Sequence, residues 1–118
     1  MRSTLVNFLI TIWIWIVVVV ATLLVTPPIA FASVVLGPFD PQRRWAHYFC
    51  ILWGEMIFKA NPGWKITING THHIRPRQPY VIVSNHLSVA DIISLYLLRI
   101  QFKWLAKRSL FRIPFFGW

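Results

Sequence analysis

The order of apolar and polar positions divides the chain into a front and a back. No charged residue lies between Arg2 and Asp40, and within that span Leu5–Val25 holds 21 residues, of which only Asn7, Thr11 and Thr22 are polar. As a helix this stretch is about 32 Å long at about 1.5 Å per residue, close to the hydrocarbon thickness of a bilayer. Its apolar residues surround the axis instead of forming a stripe, so lipid suits it better than a protein surface. Trp13 and Trp15 fall near its middle, away from the interfaces where an aromatic belt lies, which counts against a simple vertical span.

Three arrangements compete for this stretch. A signal peptide would be cut at Ala30-Phe31-Ala32, but its apolar core exceeds the usual roughly 7–15 residues. A single spanning helix fits the length. A hairpin that turns near Pro27-Pro28 and returns through apolar Ile29–Leu36 puts Arg2, Arg43 and Arg44 on one side, the cytoplasmic side by the positive-inside rule, and is favoured.

Beyond the turn, Trp45, Phe49, Leu52 and Met56 recur at helical spacing, which predicts an amphipathic helix over about 41–59. Asp40 reads as its N-cap, with Pro41 at the first helical position, and Asn61-Pro62-Gly63 ends it. His47 and Glu55 receive no role. After Gly63 the pattern changes. Trp64–Ile68 alternates as a strand does, Asn69-Gly70 reads as a turn, and Tyr80–Val83 has the composition of a short buried strand. Val89–Leu98 reads as a helix and Gln101–Ala106 as another strand. Strand, helix, strand with short connections predicts an α/β fold with parallel pairing. The expected organisation is therefore 1–60 as membrane-anchoring helices and 64–118 as part of an α/β domain.

Composition removes several classes. With 57% hydrophobic and 13% charged residues, the chain is not intrinsically disordered. A single cysteine, Cys50, excludes a disulfide framework and a cysteine-based zinc cluster, and the adjacent His72-His73 pair cannot easily share one ion. No metal and no cofactor are expected. Twelve Lys and Arg against three Asp and Glu leave a net charge of +9. Nucleic acid is the usual partner for such a charge, but the membrane segment argues against it, and anionic lipid is the better expectation. Arg99, Lys103, Lys107, Arg108 and Arg112 crowd into 14 residues.

Candidate chemistry lies between the second strand and the helix, in Ser84-Asn85-His86-Leu87-Ser88-Val89-Ala90-Asp91. Catalytic groups in open α/β sheets collect at the carboxyl ends of strands, where His86 would sit. Helical side chains lean toward the N-terminus, so Asp91 would point back at the loop carrying His86. A carboxylate on one ring nitrogen fixes the tautomer and leaves the other nitrogen as a base. A plainer account competes: Ser88-Val89-Ala90-Asp91 is by itself a capping-box pattern, in which Asp91 only satisfies backbone N–H groups.

The run from Asn85 to Asp91 contains NHxxxxD. It resembles the first motif of the glycerolipid acyltransferases, most closely the 1-acyl-sn-glycerol-3-phosphate (lysophosphatidic acid) acyltransferases. The stretch Phe102–Trp118, FKWLAKRSLFRIPFFGW, is similar to the same family. The resemblance implies a membrane helix pair followed by the first part of an α/β acyltransferase domain. It further implies a general-base mechanism. His86 takes the proton from the free hydroxyl of 1-acyl-sn-glycerol-3-phosphate, the oxygen attacks the thioester of acyl-CoA or acyl-carrier protein, and phosphatidic acid results. Asp91 orients His86, and Lys107, with Lys103 second, contacts phosphate or the developing oxyanion. The resemblance implies a protein about twice this length, with later phosphate-binding motifs that are absent here. The chain is therefore expected to be an N-terminal fragment or truncated form with weak activity of its own, anchored with its active site on the cytoplasmic side, in a bacterial inner membrane. The competing reading is a non-catalytic, membrane-anchored lipid-binding protein or basic membrane-surface adaptor.

Overall fold

The computed structural model describes residues 3–61, 63–85 and 88–113. The apolar front forms one long helix, α1 (Thr4–Val34), begun by Ser3, whose side chain accepts a hydrogen bond from the Val6 N–H at 3.3 Å. At 31 residues it is long and apolar enough to cross a membrane. Only 11% of its most apolar 18-residue window is covered by the rest of the chain, which fits a lipid-facing helix better than a core helix.

The turn expected near Pro27-Pro28 is not there: α1 runs through both prolines to Val34. Each proline lacks the N–H that would bond four residues back, so the carbonyls of Leu23 and Leu24 lose their intrahelical partners. The hydroxyls of Thr22 and Thr26 bond back to the carbonyls of Val18 and Thr22, both at 2.7 Å, which satisfies these polar groups within the helix.

The reversal comes instead at 35–43. The second helix, α2 (Arg44–Ala60), starts after Arg43, which adopts a left-handed backbone (φ 56°). Asp40 is therefore not the N-cap. Its carboxylate still accepts the Trp45 N–H at 3.0 Å, satisfying an orphan donor of the first turn from outside the helix. Arg43 caps the other helix, donating from its guanidinium to the Ser33 carbonyl at the end of α1.

The two helices pack antiparallel. The Trp13 indole donates to the Ala60 carbonyl at 2.9 Å, and the Trp53 indole donates to the Thr22 hydroxyl at 3.0 Å, so α2 descends as α1 climbs. Trp13, misplaced for an aromatic belt, thus caps the C-terminal end of α2. The core forms where Ala21 of α1, Ile57 of α2 and Ile93 of the third helix, α3 (Val89–Tyr96), meet, flanked by Val17, Val18, Trp53, Phe58 and Trp64. Ile57 is fully buried, and the buried Asn61 amide donates to its carbonyl at 2.7 Å. Gly54 allows α3 to come this close: a Cβ there would stand 3.1 Å from the Tyr96 Cβ and 3.3 Å from the Ile93 carbonyl oxygen.

The α/β expectation is overturned. Among the described residues there is no strand and no sheet; the remainder is irregular, with 3₁₀ turns at Thr71–His73 and Arg108–Arg112. The segments 64–68, 80–83 and 101–106, expected as strands, carry no ladder hydrogen bonds. Val81 and Val83 are 91% and 88% exposed, the opposite of a buried strand. A helix satisfies its backbone internally, whereas a strand exists only through a paired neighbour, so β propensity without pairing leaves an irregular chain. Asn69-Gly70 does turn, with Gly70 at φ 78° leading into the 3₁₀ turn.

Candidate functional site

The site is built at the start of α3. Ser88 is the N-cap: its hydroxyl accepts the Ala90 N–H at 3.2 Å, while its own backbone N–H donates to the Asp91 carboxylate at 2.8 Å. This is the reciprocal capping box that the residue pattern offered as the plainer account, and it turns Asp91 back toward the preceding loop. His86 lies outside the described residues.

Asp91 borders a cleft of about 530 Å³. Lys107 lines the same cleft, so 16 residues of separation in sequence become a shared wall. The remaining lining is mostly apolar: Trp53, Ile92, Leu95, Tyr96, Trp104, Leu105, Leu110 and Phe111, with Ser84 at one side. An acidic and a basic group on an apolar cleft is an arrangement suited to a ligand with a charged head and a hydrocarbon chain.

Lys103 is elsewhere. Its ammonium donates to the Gln42 carbonyl at 2.8 Å and borders a second, larger and open cleft of about 1210 Å³ that Asp91 does not line.

Tyr96, Trp53 and Trp104 form a wall that the sequence reading missed. Tyr96 packs edge-on to Trp53 (6.1 Å between centroids) and against Phe102 and Trp104, and the Trp104 indole donates to its hydroxyl at 2.8 Å. Burial pushes the Tyr96 phenol up to about 12, with the Trp104 bond opposing in part. Burial also raises the Cys50 thiol next to Tyr96, which keeps it protonated and unsuited to act as a nucleophile. His47 bonds the Ile100 carbonyl through Nε2 at 2.8 Å and meets Phe102 edge-on at 4.8 Å. Burial lowers its pKa, the carbonyl bond opposes this, and Lys103 adds to the lowering. The ring is therefore a neutral packing element joining α2 to the segment after α3. Among the described residues, no group of three or more His, Cys, Asp or Glu could hold a metal ion.

Glu55, also left without a role, ties α2 to the end of α3. Arg99 Nε donates to it at 2.6 Å, and Lys59 sits at 3.3 Å. The Arg99 hydrogen bond, above all, holds this carboxyl below its ordinary range. Lys59 is the i,i+4 partner that helical spacing predicts, whereas Arg99 comes from outside the helix and is not predictable from periodicity.

Comparison with known proteins shows what the chain is similar to. Residues 65–118 match the family model described as Acyltransferase. A 1-acyl-sn-glycerol-3-phosphate acyltransferase of Chlamydomonas reinhardtii is 38% identical over 101 residues, covering 80% of this chain and 30% of the relative. A chloroplastic 1-acyl-sn-glycerol-3-phosphate acyltransferase of Arabidopsis thaliana is 40% identical over 82 residues, 68% of this chain and 22% of the relative. The human 1-acyl-sn-glycerol-3-phosphate acyltransferase alpha is 46% identical over 33 residues, 28% of this chain and 12% of its own length. No solved structure matches. Over these residues the chain is similar to the acyltransferase family and to relatives named as 1-acyl-sn-glycerol-3-phosphate acyltransferases, and it spans less than a third of the length of the algal and the Arabidopsis relative. The chloroplastic names of two relatives lend no support to a bacterial inner membrane or a cytoplasmic site.

Proposed function

We propose that the complete protein transfers an acyl chain from a thioester donor, acyl-CoA or acyl-carrier protein, to the free hydroxyl of 1-acyl-sn-glycerol-3-phosphate, giving phosphatidic acid. His86 removes the hydroxyl proton as the oxygen attacks the thioester carbonyl. The tetrahedral intermediate then expels the thiolate, which takes the proton from the imidazolium and leaves as the thiol. Asp91 holds His86 in one tautomer and stabilises its cationic form. Lys107 neutralises the acceptor phosphate or the developing oxyanion, while Lys103, bonded to Gln42 on the other cleft, takes no part. Helix α1 keeps the site beside the bilayer that holds the acceptor.

One observation carries the reading: within a stretch that matches an acyltransferase family, Asp91 and Lys107 border one apolar cleft. The test is His86→Ala in the complete protein, assayed with 1-acyl-sn-glycerol-3-phosphate and either thioester. Turnover is expected to fall by about 10²–10⁴-fold with helical content unchanged. Undiminished turnover overturns the proposal, and a wild-type protein that binds the acceptor without acylating it favours the non-catalytic lipid-binding reading.

A further inference from the structure

We propose that the C-terminal end of α1 carries a binding site for the headgroup of an anionic phospholipid, formed by Arg75, Arg77 and Lys103 around Gln42, none of which lines the adjoining Asp91–Lys107 cleft, although the two clefts share Ser84, Leu95, Trp104 and Leu105.

The larger open cleft supplies the geometry. Gln42, Arg75, Arg77 and Lys103 all line it, although they come from three separate stretches of chain. Gln42 is the organising residue. Its carbonyl accepts from both Gln101 (3.0 Å) and Lys103 (2.8 Å), and its side-chain oxygen accepts two bonds from Arg44, at 2.9 and 2.7 Å. The single bond to Gln42 uses one of the three donors on the Lys103 ammonium. The loop carrying Arg75 and Arg77 is held by Tyr80, whose hydroxyl accepts the Arg75 N–H at 3.0 Å and donates to the Gln78 side chain at 3.1 Å.

The charge balance leaves cations free for an external anion. The chain has three carboxylate side chains against twelve Lys and Arg. Asp40 is bonded to the Trp45 N–H, Glu55 to Arg99 and Lys59, and Asp91 to the Ser88 N–H. Among the described residues, neither Arg75 nor Arg77 meets a carboxylate, and both are exposed. Position decides the source of the anion. Gln42 and Pro41, on the rim, belong to the reversal directly after α1, and Arg43 is bonded to the Ser33 carbonyl at that helix end. With α1 in a bilayer, these cations stand where headgroup phosphates lie, and basic residues next to a membrane helix attract anionic lipid. The inference needs α1 in a bilayer but does not need acyl transfer.

The test measures lipid retention, with dioleoylphosphatidylglycerol offered against dioleoylphosphatidylcholine to the full chain in neutral detergent micelles and bound lipid counted by native mass spectrometry. The wild-type chain is expected to retain the anionic lipid preferentially. Arg75→Gln with Arg77→Gln should weaken that retention about thirtyfold, as two cations at a headgroup surface imply. The double substitution to Lys should stay near wild type, and His86→Ala should change nothing, which separates this proposal from the catalytic one. Retention by the glutamine pair equal to wild type overturns the proposal. So does a lysine pair as weak as the glutamine pair, or complete displacement of the lipid by excess inorganic phosphate.

Discussion

The Trp53 indole donates to the Thr22 hydroxyl at 3.0 Å, joining a wall of the Asp91 cleft to the middle of the long apolar helix. Thr22 is one of three polar residues between Leu5 and Val25, and its own hydroxyl proton goes to the Val18 carbonyl at 2.7 Å. It therefore holds two helices in register and exposes no polar group to lipid. Thr22→Val keeps the shape and removes the acceptor, leaving the partly buried Trp53 N–H without a partner. The expected loss is about 1–2 kcal/mol, read by denaturation in micelles. Trp53→Phe in the Thr22→Val background should add less than it does alone, because the bond is already gone.

Gly54→Ala tests the approach of α3 to α2. The new methyl would meet the Tyr96 Cβ at 3.1 Å and the Ile93 carbonyl at 3.3 Å, both fixed to the α3 backbone and unable to rotate away. Overpacking of this kind costs about 1–3 kcal/mol, against a helix-propensity gain of at most about 1 kcal/mol. A lowered melting temperature is expected, with none for Gly63→Ala, where nothing lies within 4 Å of the added carbon. An unchanged or raised melting temperature for Gly54→Ala would show that the helices can part without cost.

The Glu55 interaction with Arg99 and Lys59 predicts a pH dependence. Its carboxyl is held below the ordinary 4.5, so the folded state binds its proton less readily than the unfolded chain does. The stabilisation is complete above about pH 4.5 and is lost as pH falls through the lower folded value. Arg99 and Lys59 are 69% and 77% exposed, so solvent screening limits the effect to about 1 kcal/mol or less. Glu55→Gln should therefore be destabilised at pH 7 and match wild type in acid. A difference that persists below pH 3 would mean that packing is responsible.

Two substitutions separate the capping and catalytic roles of the α3 start. Ser88→Ala removes the acceptor for the Ala90 N–H and should cost about 1 kcal/mol of stability while acyl transfer by the complete protein survives. Asp91→Asn keeps an oxygen for the Ser88 N–H but removes the charge, so the helix should persist while turnover falls by at least about 10²-fold. Equal turnover in the two variants would assign Asp91 to capping alone.

The apolar run, the two helix-forming stretches that follow it and the capping box at Ser88 were legible in the residues, because periodicity and local hydrogen bonding act within a few residues of chain. The NHxxxxD stretch pointed to the family for the same local reason. Three things needed the tertiary structure. The passage of α1 through Pro27 and Pro28 is set by its packing on α2, which outweighs the local breaking signal. The absence of strands at 64–68, 80–83 and 101–106 is decided by pairing, a property of neighbours that composition does not carry. The cleft shared by Asp91 and Lys107, the bond of Lys103 to Gln42, and the bonds of Glu55 to Arg99 and of Thr22 to Trp53 all join residues distant in sequence, and only tertiary packing brings such pairs within reach.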